Sequence, residues 1–278
     1  MRKLIFLSLL SILSFAKEQE FHSHFGEDNI KFNYEVLDFK NSKKKLNGNR
    51  YGVEIDHEDN SNHIQVYYEK SATNTKDTIS KNLYVGKYTI KYQYLFDKQS
   101  LIFLYSKISD NLMEEVDNGD IYGVGYNYKR ASFIYYFSDY EHFNSHQGDL
   151  KYVFGDKFKV ILIGKYIRLE DKNSNGFSRN ANNSYFTTGL KLHTHYKNMH
   201  LGAGVYFGKR AFAIMKNGFK VQHHSMEFKR SYMGRLGFRL YKDLSFHINY
   251  GYHVAEELPI KNNNVKVQNI SLDFVLKF

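Results

Sequence analysis

Apolar and polar residues alternate along most of the chain beyond its first 16 residues. One such run has apolar or aromatic residues or glycine at Tyr84, Gly86, Tyr88, Ile90, Tyr92 and Tyr94, with Lys87, Thr89, Lys91 and Gln93 between them. A period of two places successive side chains on opposite faces of a strand. Each run therefore predicts a β-strand with one apolar and one polar face, and no stretch of comparable length keeps a helical period.

The alternation predicts fourteen strands, joined in turn by tight turns and by longer polar loops. The strands are expected near 28–40, 49–58, 63–72, 82–96, 99–109, 119–129, 131–140, 148–155, 157–169, 184–196, 199–208, 224–241, 244–255 and 264–278. Longer loops are expected at 41–48, 73–81, 110–118, 141–147, 170–183, 209–223 and 256–263. An even strand count with short turns at one end is typical of an antiparallel up-and-down barrel. Twelve or sixteen strands would also fit if the boundaries shift.

The outward face of such a barrel has to be apolar. Fourteen strands enclose more volume than inward side chains can fill, so the apolar face cannot form a packed interior. A closed barrel also satisfies its own backbone hydrogen bonds, which the interior of a bilayer requires. The fold class predicted is therefore all-β, an antiparallel transmembrane barrel.

Composition supports this class and excludes others. The chain has 24 Tyr, 23 Phe and a mean hydropathy of −0.55, and such an aromatic content argues against disorder. It has no Cys, which excludes disulfides and cysteine metal sites. Several aromatic residues lie near predicted strand ends on the apolar side, as in the girdles of membrane barrels: Tyr84, Tyr94, Tyr122, Tyr128, Phe186, Tyr196, Phe246 and Tyr252.

The first residues have the pattern of a secretory signal peptide. Arg2 and Lys3 precede an apolar stretch at 4–13, and Ser14-Phe15-Ala16 supplies a small-x-small cleavage site. The apolar stretch is too short for an uncleaved membrane anchor. We therefore expect residues 1–16 to be removed and the protein to leave the cytoplasm.

The last predicted strand carries a resemblance to a known superfamily. Ile270, Leu272, Phe274, Leu276 and the terminal Phe278 alternate with polar or smaller residues. This ending resembles that of Gram-negative outer-membrane β-barrel proteins of the porin-like superfamily. In length and strand number the chain is similar to small monomeric fourteen-stranded porins of the OmpG kind.

The resemblance implies a location, partners and a domain organisation. The location is the outer membrane, with residues 17–27 as a short periplasmic segment and 28–278 as the barrel. The implied partners are outer-membrane lipid, lipopolysaccharide and the barrel-assembly machinery, which would read Phe274, Leu276 and Phe278. A monomer is expected, and the signal peptide and apolar stripe speak against nucleic acid as a partner.

The polar side of the strands predicts an aqueous lumen with an excess of cations. The chain has 39 Lys and Arg against 29 Asp and Glu. The candidate pore-lining residues are Lys87, Lys91, Lys191, Arg235 and Arg239. A lining of one sign concentrates counter-ions, so we expect a passive channel for small hydrophilic solutes or ions with mild anion preference. Cross-strand acid–base pairs could instead cancel the field, and loop 170–183 or 209–223 could fold inward and narrow the pore.

The histidines suggest no metal site at this stage. His193 and His195 share one strand face, and His247 and His253 share another. Two histidines at a spacing of two can chelate a metal ion, but the neighbouring Lys191 disfavours a cation. We interpret these histidines as hydrated or pH-responsive pore-lining residues, and expect no metal and no cofactor.

Two alternatives to a channel remain open. His223 and Ser225 have the His-x-Ser spacing of outer-membrane lipid hydrolases, in which the histidine acts as general base. Glu227 would orient the histidine, although Met226-Glu227 replaces the Asn-Gly or Asn-Ala that follows such pairs. The other alternative is a structural or adhesive barrel that acts through its surface loops.

Overall fold

The computed structural model describes residues 28–76, 81–112, 118–172 and 181–278. The signal peptide and periplasmic segment predicted at 1–27 lie outside the described residues, as does most of the connection predicted at 170–183. The described residues contain no helix that is long and apolar enough to cross a membrane.

The described chain is almost entirely β-strand. In chain order the strands are β1 (Asn29–Lys40), β2 (Lys45–Glu58), β3 (Asn62–Thr75), β4 (Leu83–Phe96), β5 (Gln99–Asp110), β6 (Gly119–Tyr128), β7 (Ala131–Tyr140), β8 (Phe143–Phe154), β9 (Phe158–Asp171), β10 (Ser184–Tyr196), β11 (Met199–Arg210), β12 (Ile214–Met215), β13 (Lys220–Val221), β14 (Met226–Arg239), β15 (Leu244–Glu257) and β16 (Asn262–Lys277). A 3-10 turn, Lys216–Gly218, joins β12 to β13.

Fourteen of these described strands close into one antiparallel barrel. Each pairs with its neighbour along the chain, and β1 pairs with β16 to complete the ring. β11 pairs directly with β14, so the short β12–β13 hairpin is not part of the wall. The fold class and strand number predicted from the alternation are confirmed, since every wall strand keeps one face inward and one outward.

The outward face is apolar and rich in aromatic rings. On β1, for example, Phe32, Tyr34 and Val36 are each about half exposed, whereas Glu35 and Leu37, which alternate with them, are buried inside the barrel. Six of the aromatic residues predicted near strand ends are exposed on this face, namely Tyr84, Tyr94, Tyr122, Tyr128, Phe186 and Tyr196. Phe246 and Tyr252 are half-buried. So much contiguous apolar surface suits lipid rather than water.

Three connections predicted as long loops are short turns. The chain turns at 41–44, 141–142 and 258–261, so β2, β8, β15 and β16 are longer than the alternation indicates. The Glu257 carboxylate holds the turn at 41–44. Its two oxygens accept hydrogen bonds from the Ser42 hydroxyl (2.5 Å) and from the backbone N–H of Lys43 (2.8 Å) and Lys44 (3.2 Å). Polar side chains at these strand ends mimic loop composition, although their backbones continue the ladder.

The buried apolar residues form two clusters inside the barrel. The larger one joins wall residues of β4–β11 to residues 211–215 and Val221, which belong to the connection between β11 and β14. The smaller one contains Leu37, Phe39, Met226, Phe228, Ala255, Val265 and Val267. The lumen is therefore partly filled by the chain itself.

Candidate functional site: the barrel lumen

The connection between β11 and β14 folds into the lumen, and we call residues 211–225 the inner segment. Its Phe212 and Ile214 are almost fully buried, and the Phe212 ring lies 4.8 Å from that of Phe143 between ring centroids. Gly218 has a φ of +106°, and a Cβ there would lie 2.0 Å from Leu104 Cδ1 on β5. Only glycine fits this close approach in a left-handed conformation. The expectation that one long loop folds inward is confirmed for this connection.

Polar side chains of β8 and β9 hold the first half of the inner segment. Gln147 Oε1 accepts a hydrogen bond from the Ile214 backbone N–H at 2.8 Å, and Gln147 Nε2 donates to the Ile214 carbonyl at 2.7 Å. Lys165 Nζ donates to the same carbonyl at 3.0 Å and is paired with Asp149. On this side β12 has no neighbouring strand to pair with. The hydrogen bonds from Gln147 and Lys165 therefore satisfy the backbone N–H and carbonyl of Ile214 inside the lumen.

The second half of the inner segment rests on β1, β2 and β4. Lys220 Nζ lies 2.8 Å from Glu35 Oε1, and Lys87 Nζ donates to the Phe219 carbonyl. His223 Nε2 lies 3.2 Å from Arg50 Nη2. Together with the contacts to β8 and β9, the inner segment spans the lumen from one wall to the opposite one.

A buried acid–base network lies where the inner segment meets β1–β3. Arg50 Nη1 lies 2.8 Å from Glu35 Oε2, and Arg50 Nε lies 3.3 Å from Glu69 Oε1. The Tyr67 hydroxyl donates to Glu69 Oε2 at 2.7 Å. Arg50 and both carboxylates are less than 5% exposed. The opposite charges compensate one another there, as buried ions require.

A cavity remains between the inner segment and the wall formed by β1, β10, β11 and β14–β16. Its volume is about 200 Å³, and it opens to solvent. Its charged lining includes Lys191, Arg235, Lys216, Lys220 and Glu35, and its apolar lining includes Leu37, Met215, Val221, Phe228 and Val267. The cavity is thus mixed in character, with more cations than carboxylates in its lining.

The five predicted pore-lining cations lie in three different environments. Lys87 and Lys91 are buried under the inner segment: Lys91 Nζ donates to Gln65 Oε1 at 3.0 Å and lies 5.5 Å from the Phe219 ring centroid. Lys191 and Arg235 line the open cavity. Arg239 is exposed at the end of β14, beside the tight turns. The structure therefore brings Lys191 and Arg235 together and separates them from the other three.

Cross-strand pairs cancel some of the lumen charge, as the sequence left open. Lys31 and Glu54 are 3.1 Å apart, and Lys165 and Asp149 form a second pair. Arg235 has a distant partner, with Asp273 Oδ2 at 4.0 Å from its Nη2. The compensation is uneven, because the charged groups that act most strongly on Lys191 are Lys165, Lys151 and Arg235, which are all cations.

The predicted hydrolase residues lie inside the barrel and do not form a lipid-facing rim. His223, Ser225 and Glu227 are all less than 5% exposed. Glu227 contacts Lys209 (2.7 Å between Oε1 and Nζ) and Asn182 (3.0 Å between Oε2 and Nδ2). Burial lowers the pKa of His223 to about 3, and the Arg50 guanidinium adds to the effect. A general base needs a pKa near the working pH, so this arrangement is poorly suited to activating a hydroxyl.

The assembly residues predicted at the C-terminus face outward. Phe274 and Leu276 are each nearly half exposed on the apolar face, and Phe278 is 68% exposed. The Phe278 backbone N–H donates to the Asp28 carbonyl at 3.0 Å, which ties the end of the chain to the start of β1.

Sequence reasoning missed the contacts made by Gln147, Lys220 and His200. Gln147 and Lys220 anchor the inner segment, and His200 lies 4.4 Å from His195 and 5.6 Å from His247 between ring centroids. None of these three residues belongs to a local sequence motif. Their roles depend on which strands are neighbours and on the path of the inner segment.

Comparison with known proteins bears on the fold alone. No protein-family model matches the sequence, and no curated protein matches it. Among solved structures, the chain is similar to the toluene transporter TodX of Pseudomonas putida, with a TM-score of 0.54, 9% identity, and coverage of 95% of this chain and 90% of that one. The toluene transporter TbuX of Ralstonia pickettii has a TM-score of 0.53 and 7% identity, with coverage of 90% of this chain and 89% of that one. The chain thus shares the barrel fold of these two transporters.

Proposed function

We propose that the protein is a porin-like channel of the Gram-negative outer membrane, through which small hydrophilic solutes or ions diffuse passively. The observation that carries the proposal is the open cavity beside the inner segment, enclosed by a complete barrel wall and lined by charged side chains. A closed wall with an apolar outside and a charged inside is the arrangement of membrane channels.

The outer membrane is the location that best fits the outward face and the chain ends. Spanning barrels of this kind occur in that membrane, and the outward aromatic residues near strand ends would lie at its interfaces. As part of the same proposal, Phe274, Leu276 and Phe278 serve as the signal read by the barrel-assembly machinery, and lipopolysaccharide contacts the outer rim of a monomeric barrel. The exposure of these three residues supports such a role.

The lining of the cavity favours anions over cations. Lys191 and Arg235 lie in its wall, and Lys216 and Lys220 of the inner segment lie opposite. Glu35 is the counter-charge in the lining, but it is already paired with Arg50 and Lys220. Because an excess of one charge raises the local concentration of counter-ions, we expect chloride and small organic anions to pass more easily than potassium.

A charged lining also favours hydrophilic solutes over hydrocarbons. TodX and TbuX are toluene transporters, and their likeness to this chain extends only to the fold. In this chain the buried lumen residues include Glu35, Arg50, Glu69, Lys87, Lys91 and Lys165. An uncharged hydrocarbon gains nothing from such groups, whereas a hydrated ion does.

The decisive experiment is single-channel recording of the refolded barrel in a planar bilayer under a salt gradient. We expect discrete current steps with a reversal potential that favours chloride. The double variant Lys191→Glu and Arg235→Glu should shift the reversal potential toward cation selectivity, because it reverses two charges in the cavity wall. Arg130→Glu is the matched control, since Arg130 lies in an exposed turn and should leave selectivity unchanged.

Two results would contradict parts of this proposal. A correctly folded barrel that gives no current would overturn the open channel. Current steps whose selectivity is unchanged in the Lys191→Glu and Arg235→Glu variant would keep the channel but remove the cavity wall as its selectivity determinant.

A further inference from the structure

Glycines help to open the cavity beside the inner segment. Gly202 and Gly204 on β11 and Gly251 on β15 all belong to its lining. Gly202 is directly opposite Arg235 on β14, and Gly204 is opposite Lys191 on β10, so both glycines occupy inward positions. Inward positions without a side chain leave room for the space of about 200 Å³. Pockets for drug-sized ligands measure about 300–1,000 Å³, so this cavity suits a smaller molecule.

Three cations of the cavity lining have no carboxylate partner. Glu35 is the acidic residue of the lining, and it is already paired with Lys220 at 2.8 Å. Within the described part of the chain, no ion pair includes the other three basic residues, Lys191, Arg210 and Lys216. The lining therefore carries an excess of positive charge, which a bound anion would compensate.

Arg210 is the most deeply buried of these cations. The residue is 1% exposed, and its Cζ lies 5.2 Å from the ring centroid of Tyr206 and 5.5 Å from that of Phe228. Its Nε donates to Gln222 Oε1 at 3.1 Å and its Nη2 donates to the Ser231 hydroxyl, but its Nη1 is buried without a hydrogen-bond partner. Burial of a charge and of an unpaired donor costs free energy. An anion beside Arg210 would lower that cost.

Tyr206 brings Lys191 close to the same place. Lys191 Nζ lies 5.8 Å from the centroid of the Tyr206 ring, so Lys191 and Arg210 are both near one ring. Gly189 on β10 makes this position of the ring possible, because a Cβ there would lie 2.4 Å from Tyr206 Cε1. A negatively charged group beside this ring would be attracted by both cations.

The lining also has a large apolar part. Leu37, Phe228 and Val267 come from the wall, and Met215 and Val221 come from the inner segment. All five residues are buried. An inorganic anion such as chloride gains nothing from these side chains, whereas an organic anion can place an apolar body against them and remove apolar surface from water.

We propose that the cavity binds one small organic monocarboxylate, with its carboxylate held by Arg210 and Lys191 and its apolar body against Met215, Val221 and Phe228. Charge-assisted hydrogen bonds from guanidinium and ammonium groups to a carboxylate are stronger than those between neutral groups. The inference names a solute class for the channel proposed above and rests on that proposed function for transport only, since binding requires no more than the folded barrel.

Titration calorimetry of the refolded barrel in a non-ionic detergent, with benzoate as the probe, tests the site. We expect one benzoate to bind per barrel. Benzamide has nearly the same shape but no charge, and acetate has the charge but little apolar surface, so each should bind at least tenfold more weakly. Equal binding of benzamide would overturn the carboxylate as the recognised group, and equal binding of acetate would overturn the apolar part of the site.

Two variants remove the cations that hold the carboxylate. Arg210→Met and Lys191→Gln should each weaken benzoate binding at least tenfold. Benzoate should raise the denaturation temperature of the unmodified barrel, because a ligand of the folded state stabilises it, and should have a much smaller effect on the variants. Lys31→Gln is the matched control: Lys31 is a lumen lysine outside the lining, paired with Glu54 at 3.1 Å, and this variant should bind benzoate normally.

The heat-induced mobility shift of barrels verifies the fold of each variant, and Lys191→Gln decides the question if Arg210→Met does not fold. The proposal is overturned if the unmodified barrel binds no benzoate, or if Lys191→Gln binds it as tightly as the unmodified barrel. Binding and conduction can fail separately. A barrel that binds benzoate but gives no current keeps the site and overturns the channel, whereas one that conducts but binds no benzoate keeps the channel and overturns the site.

Discussion

Arg50 shows how a single lumen residue can serve both the wall and the inner segment. It is buried on β2 between Glu35 and Glu69, and it donates toward His223 of the inner segment. Its guanidinium offers several donors in one plane, which a lysine cannot replace. The residue therefore couples the position of the inner segment to the charge balance of β1–β3.

Replacing Arg50 should lower stability strongly. Arg50→Ala leaves two buried carboxylates with less compensation, and breaking a buried pair in this way typically costs about 3–5 kcal/mol. Urea titration of the barrel in lipid vesicles, followed by tyrosine fluorescence, measures the change. Arg130→Ala is the control: its pair with Asp156 is exposed, so little change is expected. Equal effects of the two variants would show that the buried network does not stabilise the barrel.

The sequence did not predict which groups the individual lumen side chains contact. The alternation correctly places Lys87, Lys91, Lys191 and Arg235 on the inward face, but it gives no information about what each one meets there. Lys87 and Lys91 contact Phe219, a residue more than a hundred positions away. Such contacts depend on strand order and on the inner segment, and neither is encoded in local spacing.

At the scale of elements, the strands were predictable and the inner segment was only partly so. Nearly all wall strands begin and end within a few residues of the expected positions, because alternation continues for as long as the backbone stays in the ladder. The sequence 209–223 indicates a long loop but not its direction. Its fold depends on Gln147, Lys165, Glu35 and Arg50, which four different strands contribute.

Removing the inner segment should widen the pore. Replacing residues 212–222 with a short Gly-Ser linker leaves β11 and β14 paired, since their register does not involve the segment. We expect single-channel conductance to rise roughly twofold or more, because conductance follows the open cross-section of the lumen. Lys242→Ala, in a tight turn at the other end, should leave conductance as it is. An unchanged conductance after the deletion would mean that the segment does not restrict the pore.

At the scale of the whole molecule, the two faces of the wall have separate roles. The inward face holds the inner segment, the ion pairs and the cavity, while the outward face holds exposed apolar and aromatic residues. A period of two lets one strand serve both faces independently. Fold class could therefore be derived from the alternation, whereas the cavity depends on how the inward side chains of distant strands meet.

The terminal aromatic residue should matter for assembly rather than for stability. The Phe278 side chain is largely exposed, and its backbone N–H donates to the Asp28 carbonyl at the start of β1. Phe278→Ala keeps that backbone bond, so the purified variant should refold in detergent as fully as the unmodified chain. In cells, under the proposed role of Phe278, we expect severalfold less folded barrel in the outer-membrane fraction.

Tyr241→Ala is the matched control, because Tyr241 is an aromatic residue in a tight turn with 76% exposure, and it should assemble normally. Loss of refolding in detergent would instead make Phe278 a structural residue, and normal assembly in cells would remove it from the proposed signal.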